Sequence, residues 1–153
     1  PIYGKKDNSK KWVLIGALAV VLLLVCVVTI KDVQKDNTNN NVSSNMTEWV
    51  TETKEDKYVV TVIGLTYCQH CKNYNPVISK LAKDYDFKLY WFDIDAMSEE
   101  DSNTLTTTYE LQQYTGASPY TVITKNGEFV ADYVGEMPES ETKTFLQDNG
   151  VID

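Results

Sequence analysis

Tyr58-Val59-Val60-Thr61-Val62-Ile63-Gly64-Leu65-Thr66-Tyr67-Cys68-Gln69-His70-Cys71 is the stretch that decides the fold. Tyr58 to Leu65 is almost continuously apolar or β-branched, the pattern of a strand buried on both faces of a sheet. Two thiols three positions apart follow. Lys72 to Tyr85 then places Val77, Ile78, Leu81 and Tyr85 on one face by three- and four-residue steps, the pattern of a helix. A C-x-x-C pair between strand and helix can cycle between dithiol and disulfide, although the same spacing also forms half of many zinc sites. A structural zinc needs four ligands, and the chain adds only Cys26, inside an apolar run, and its single histidine, His70. An intrachain zinc site fails on ligand count, which leaves a metal shared between two chains as the alternative. No resident metal or cofactor is expected.

Downstream, Phe87 to Ile94 reads as a second strand. Ser98-Glu99-Glu100-Asp101 has the cap and first-turn acids of a helix start, leading through Leu105, Tyr109 and Leu111 to a loop near Tyr114. Tyr120 to Thr124 and Glu128 to Val134 flank Lys125-Asn126-Gly127, and Asn-Gly between two apolar runs signals a hairpin. Glu139 to Asn149 reads as a terminal helix before Gly150. Upstream, a short helix is expected over Thr47 to Thr53, with Thr47 as its cap. Tyr85, Tyr90, Tyr109 and Tyr120 are expected on core or sheet faces.

The order β-α-β-α-β-β-α, with the dithiol after the first strand, resembles the thioredoxin superfamily over about Lys57 to Val151. Cys68-x-x-Cys71-Lys72 followed by Pro76 is similar to the active-site helix of thioredoxins. Ser118-Pro119, six residues ahead of Lys125-Asn126-Gly127-Glu128 and with Gly135 following, is similar to their cis-proline and hairpin segment. The resemblance implies an α/β thioredoxin fold, a central mixed sheet flanked by helices, and a thiol-disulfide oxidoreductase. It also implies a cis Pro119 across from the cysteines, leaving the Ser118 backbone available to pair with substrate. The departures are Tyr67 where thioredoxins usually carry Trp, Val62 where they bury an Asp, and Trp91 where that Asp has a Lys partner. The proton route must then differ, through water or His70. Small thioredoxin-like proteins associated with bacteriocin export, with similar Y-C-x-x-C motifs, are a close comparison.

The first third of the chain has another character. Trp12 to Ile30 carries no charge over 19 positions, which at 1.5 Å per residue spans roughly the ~30 Å hydrocarbon layer of a bilayer. It reads as a transmembrane helix over 12–30 behind a tail over 1–11. No small-x-small site follows it to mark a cleaved signal peptide, and Val25 stands where lipoprotein processing at Cys26 requires a small residue. Lys5, Lys6, Lys10 and Lys11 precede the run, whereas Lys31 and Lys35 after it are offset by Asp32 and Asp36. The positive-inside rule therefore puts the N-terminus in the cytoplasm and the rest outside, where disulfides persist. Residues 31–47, rich in Asn, Asp, Ser, Thr and Lys, read as a disordered linker to the thioredoxin-like domain over 48–153. Asn41-Val42-Ser43 and Asn45-Met46-Thr47 match the glycosylation acceptor pattern, which an Asn-rich stretch meets readily by chance.

From Glu48 onward the chain has 19 acidic residues against 8 lysines, a formal charge of −11, which disfavours nucleic-acid partners. Cys68, first in the motif and near the unpaired N–H groups of the following helix, is expected to be the exposed nucleophile, with Cys71 one turn deeper resolving the mixed disulfide. His70 beside Cys68 favours the thiolate and thus an oxidase or isomerase, a direction that DsbA-like and protein disulfide isomerase-like motifs share. Membrane-tethered relatives are often reductases, so direction stays open. Tyr67, Ser118 and Pro119 are the expected substrate contacts. The expected partners are cysteine-containing secreted or envelope proteins and a membrane redox protein that recycles the motif. The alternatives are a non-catalytic accessory module for peptide export and a Cu(I) chaperone using Cys68, Cys71 and His70.

Overall fold

A computed structural model describes residues 41–108 and 114–153. The expected segments over 1–11 and 12–30, and residues 31–40, lie outside the described residues, as do Tyr109 and Leu111. Among the described residues no helix is long and apolar enough to cross a membrane.

The elements are β1 (Val42–Ser43), α1 (Met46–Glu52), β2 (Tyr58–Gly64), α2 (Gln69–Tyr85), β3 (Lys88–Asp93), a 3-10 turn (Ile94–Ala96), α3 (Glu99–Thr107), β4 (Tyr120–Lys125), β5 (Glu128–Val134) and α4 (Glu139–Asp148). The sheet runs β1-β3-β2-β4-β5. β3 is parallel to both β1 and β2, whereas β4 and β5 are antiparallel to their neighbours. This is the mixed, helix-flanked sheet that the resemblance implies.

β2 is central, and its continuous apolar run serves two cores because alternate side chains leave opposite faces of a strand. Val60 and Val62 pack with Tyr74, Ile78, Leu81, Leu89, Ile123 and Leu146, under α2 and α4. Val59 and Ile63 pack with Trp49, Tyr90, Phe92, Leu105, Tyr120 and Val122, under α1 and α3. On this second side the buried Trp49 indole N–H donates to Thr61 Oγ1 at 2.8 Å. The hairpin forms as its sequence requires: Asn126 and Gly127 both have positive φ, 53° and 74°, which suits the twist of a two-residue connection. Ser98 caps α3, accepting from the Asp101 N–H at 3.1 Å.

Three expectations need correction. Residues 41–47 belong to the folded sheet and first helix, not to a linker. The Leu89 N–H donates to the Asn41 carbonyl at 2.7 Å, and Val42 packs against the first core. Asn41 Nδ2 also donates to the Ala82 carbonyl at 2.8 Å. One apolar residue and an Asn that occupies an open helix end are enough to dock the strand, a signal too short to stand out from the Asn-rich composition around it. The cap of α1 is Asn45, which accepts from the Glu48 N–H, rather than Thr47. Tyr85, finally, is 38 % exposed. It ends α2, and Asp86 in the left-handed conformation (φ 55°) turns the chain so that Phe87 takes the buried position instead. Tyr74, one turn after Cys71, supplies the aromatic ring to the core.

Truncating Ile78 and Tyr85 separates these roles. Ile78→Ala is expected to cost about 2–5 kcal/mol through the cavity it leaves. Tyr85→Ala, which loses chiefly the cation–π contact with Lys143, is expected to cost less than about 1 kcal/mol. Denaturant unfolding of the full chain measures both.

Candidate active site

The parallel pairing of β2 with β3 ends at Gly64 opposite Asp93, and the site is built just beyond this edge, where loops leave the carboxyl ends of parallel strands. Leu65, Thr66 and Tyr67 carry the chain over to α2, whose N-cap is Cys68. The Cys68 backbone is extended (φ −76°, ψ 118°), and its Sγ accepts from the Cys71 N–H at 3.1 Å. The sulfur thus takes one of the orphan donors of the helix start, a place that favours negative charge. Cys68 and Cys71 are joined as a disulfide, with Cα atoms 5.2 Å apart. Cys68 is half-buried, whereas Cys71 is only 2 % exposed. This asymmetry suits an attacking and a resolving sulfur.

The strand start of β4 closes the site from the other side. The Ser118–Pro119 peptide bond is cis, and the Ser118 carbonyl oxygen lies 3.6 Å from Cys68 Sγ. The Pro119 carbonyl accepts from the Gly135 N–H at 2.8 Å, so the end of β5 is tied to the same corner. Ser118 Oγ is buried without a hydrogen-bond partner among the described residues. Tyr67, next to Cys68 in the chain, is 91 % exposed.

His70 stands on the outer side of the helix start, its side chain 69 % exposed. Its Nδ1 is 2.9 Å from Glu136 Oε1, and this hydrogen bond from His70 is the main cause that holds the Glu136 carboxyl below the usual value of 4.5. The structure thus gives the imidazole a carboxylate partner that the sequence did not reveal, because Glu136 is 66 residues away in the chain. A second carboxylate, Asp95, fixes the loop before the cysteines. It accepts from the Thr66 hydroxyl and from the Thr66 N–H at 3.0 Å. Those two bonds, the hydroxyl's first, hold Asp95 below its usual 3.8. No local sequence signal marks Asp95, because it meets Thr66 only across 29 positions of the chain. Among the described residues no cluster of three or more His, Cys, Asp or Glu is placed to hold a metal ion.

The arrangement performs sulfur exchange. In such exchange a thiolate attacks a disulfide sulfur, forming a mixed disulfide, and the second thiol of the pair displaces the bound thiol to close the intrachain bond. The thioredoxin family model matches residues 33–148 of the chain. Among solved structures, the thioredoxin of Malassezia sympodialis is 26 % identical, with 71 % of this chain and 90 % of that one covered and a TM-score of 0.52. Oxidised mitochondrial thioredoxin 3 of Saccharomyces cerevisiae is 23 % identical, with 70 % and 92 % covered and a TM-score of 0.53. Fasciola hepatica thioredoxin is 18 % identical, with 72 % and 96 % covered and a TM-score of 0.53. No curated protein matches the chain.

The Asp95 tether has a pH signature. Its folded-state pKa is depressed, so the contribution to stability is complete above the ordinary carboxylate value and is lost as pH falls through the lower folded value. The Thr66 amide resonance is expected to titrate with a midpoint below 3.8, and Asp95→Asn should abolish that transition. A midpoint at or above 3.8 would contradict the tether.

Proposed function

The chain belongs to the thioredoxin family and is a thiol-disulfide oxidoreductase; from that premise we propose that it exchanges disulfides with secreted or envelope proteins outside the cell membrane. The observation that carries the chemistry is the Cys68–Cys71 pair facing the Ser118–Pro119 turn. Cys68 is the nucleophile and Cys71 resolves. Tyr67 and the Ser118 backbone receive an extended segment of the client, which pairs beside Pro119. The uncharged run over 12–30 supports a single-pass anchor with a cytoplasmic N-terminus, and its lysine-rich leading flank supports that orientation. A membrane redox partner returns the motif to its working state, and bacteriocin or other peptide export is one setting for such clients.

His70 beside Cys68 supports the oxidising or isomerising direction, because stabilising the reduced form makes the disulfide a stronger oxidant. The Glu136 contact favours a second reading. A carboxylate 2.9 Å from the imidazole offsets its cationic influence on Cys68 and supports a reductase instead.

Trapping tests client and compartment together. In Cys71→Ser the resolving sulfur is absent, so clients are expected to accumulate as mixed disulfides on Cys68 in the membrane fraction, and a membrane-impermeant thiol reagent should label Cys68 in intact cells once reduced. No adducts, or adducts that persist in Cys68→Ser, would refute exchange through Cys68. Labelling only after lysis would refute the extracytoplasmic assignment.

A further inference from the structure

Only the thiolate of Cys71 can attack the mixed disulfide, yet Cys71 is almost wholly buried and His70 is turned to Glu136. Val62, in register with Trp91, offers no proton acceptor from β2. A cavity of about 280 Å³ that opens to solvent is lined by Cys71, Thr66, Lys72, Trp91 and Asp93 among others. Asp93 is the one carboxylate on that lining. Two features of the sheet fix its position. The Trp91 indole N–H donates to Asp93 Oδ1 at 3.0 Å, which orients the group. Gly64, its register partner on β2, leaves the space the group occupies: a Cβ on Gly64 would stand 2.9 Å from Asp93 Oδ1 and 3.0 Å from the Trp91 ring.

We propose that Asp93, acting through water in this cavity, accepts the Cys71 proton when the mixed disulfide is resolved. The inference rests on the exchange reading above and assigns its proton route. Asp93 carboxylate takes the proton of the Cys71 thiol by way of a bridging water. The Cys71 thiolate attacks Cys68 Sγ, the Cys68–Cys71 bond forms, and the bond from Cys68 to the client sulfur breaks. The electron pair leaves on the client thiolate, which is protonated by solvent. The client is reduced and the motif oxidised. In the reverse direction protonated Asp93 returns the proton to Cys71 as it leaves. The other ionisable side chains around Asp93 are Lys72 of α2, and Asp101 of α3, which lines the adjoining cleft with Asp93. Asp95 is engaged by Thr66.

The full chain with Cys26→Ser, which removes the third thiol, mixed in its dithiol form with dithiobis-nitrobenzoate in stopped flow, releases the coloured thiolate twice: once when Cys68 attacks and again when Cys71 resolves. Asp93→Asn is expected to leave the first phase unchanged and to slow the second by about tenfold or more. It should also convert the second phase to one rising in proportion to hydroxide. Asp93→Ala should behave likewise and regain rate with added formate, which a loss of structure would not permit. Gly64→Ala, which displaces the carboxylate, should slow the second phase in the native background and add nothing to Asp93→Asn. Equal second phases in Asp93→Asn and the native chain would overturn the proposal, as would equal slowing of both phases without formate rescue. Absence of a second phase in the native chain, or its persistence in Cys71→Ser, would instead overturn the exchange reading.

Discussion

The site depends on β2 being paired on both edges. On one edge it runs parallel to β3, and on the other antiparallel to β4. Parallel pairing sends the ends of β2 and β3 to the same side of the sheet, while antiparallel pairing brings the start of β4 there as well. Cys68 follows the first of these ends, Asp93 closes the second, and Pro119 precedes the third. None of the three is near the others in sequence. Their proximity is a property of register, and a one-residue slip of β2 would turn its two faces over and exchange the core sets of α2 and α1.

The sequence made those parts legible that rest on local chemistry. An uninterrupted β-branched run, a C-x-x-C at a helix start, and Asn126-Gly127 between two strands each follow from backbone preferences within a few residues. What it concealed depends on distance. Val42–Ser43 forms a strand because β3 is already present beside it, and nothing in two residues announces that. Tyr85 has the right helical phase but ends its helix, so the turn at Asp86 decides its exposure. Glu136 and Asp95 were invisible as site residues because each meets its partner only through tertiary folding, across 66 and 29 positions. Pro119 was found through family resemblance rather than spacing, since no local rule places a proline opposite a thiol 48 residues earlier.

The charge distribution bears on direction. The folded part of the chain is strongly acidic, and the helix start carries one imidazole, already in contact with a carboxylate. That contact is exposed, so any electrostatic part of it is screened by salt and solvent. The remaining constant influence on Cys68 is the helix start itself, whose Cys71 N–H points at the sulfur. The balance between these sets how strongly the dithiol form is favoured, and with it whether clients are oxidised or reduced.

The reduction potential of the full chain, equilibrated with glutathione buffers and with Cys68→Ser and Cys71→Ser alongside, tests the central claim most directly. The account predicts one reversible two-electron couple that both substitutions abolish, with a value near about −120 to −180 mV for the oxidising or isomerising direction and near about −270 mV or below for a reductase. Failure to find a reversible couple would contradict the assignment of this pair as the working dithiol.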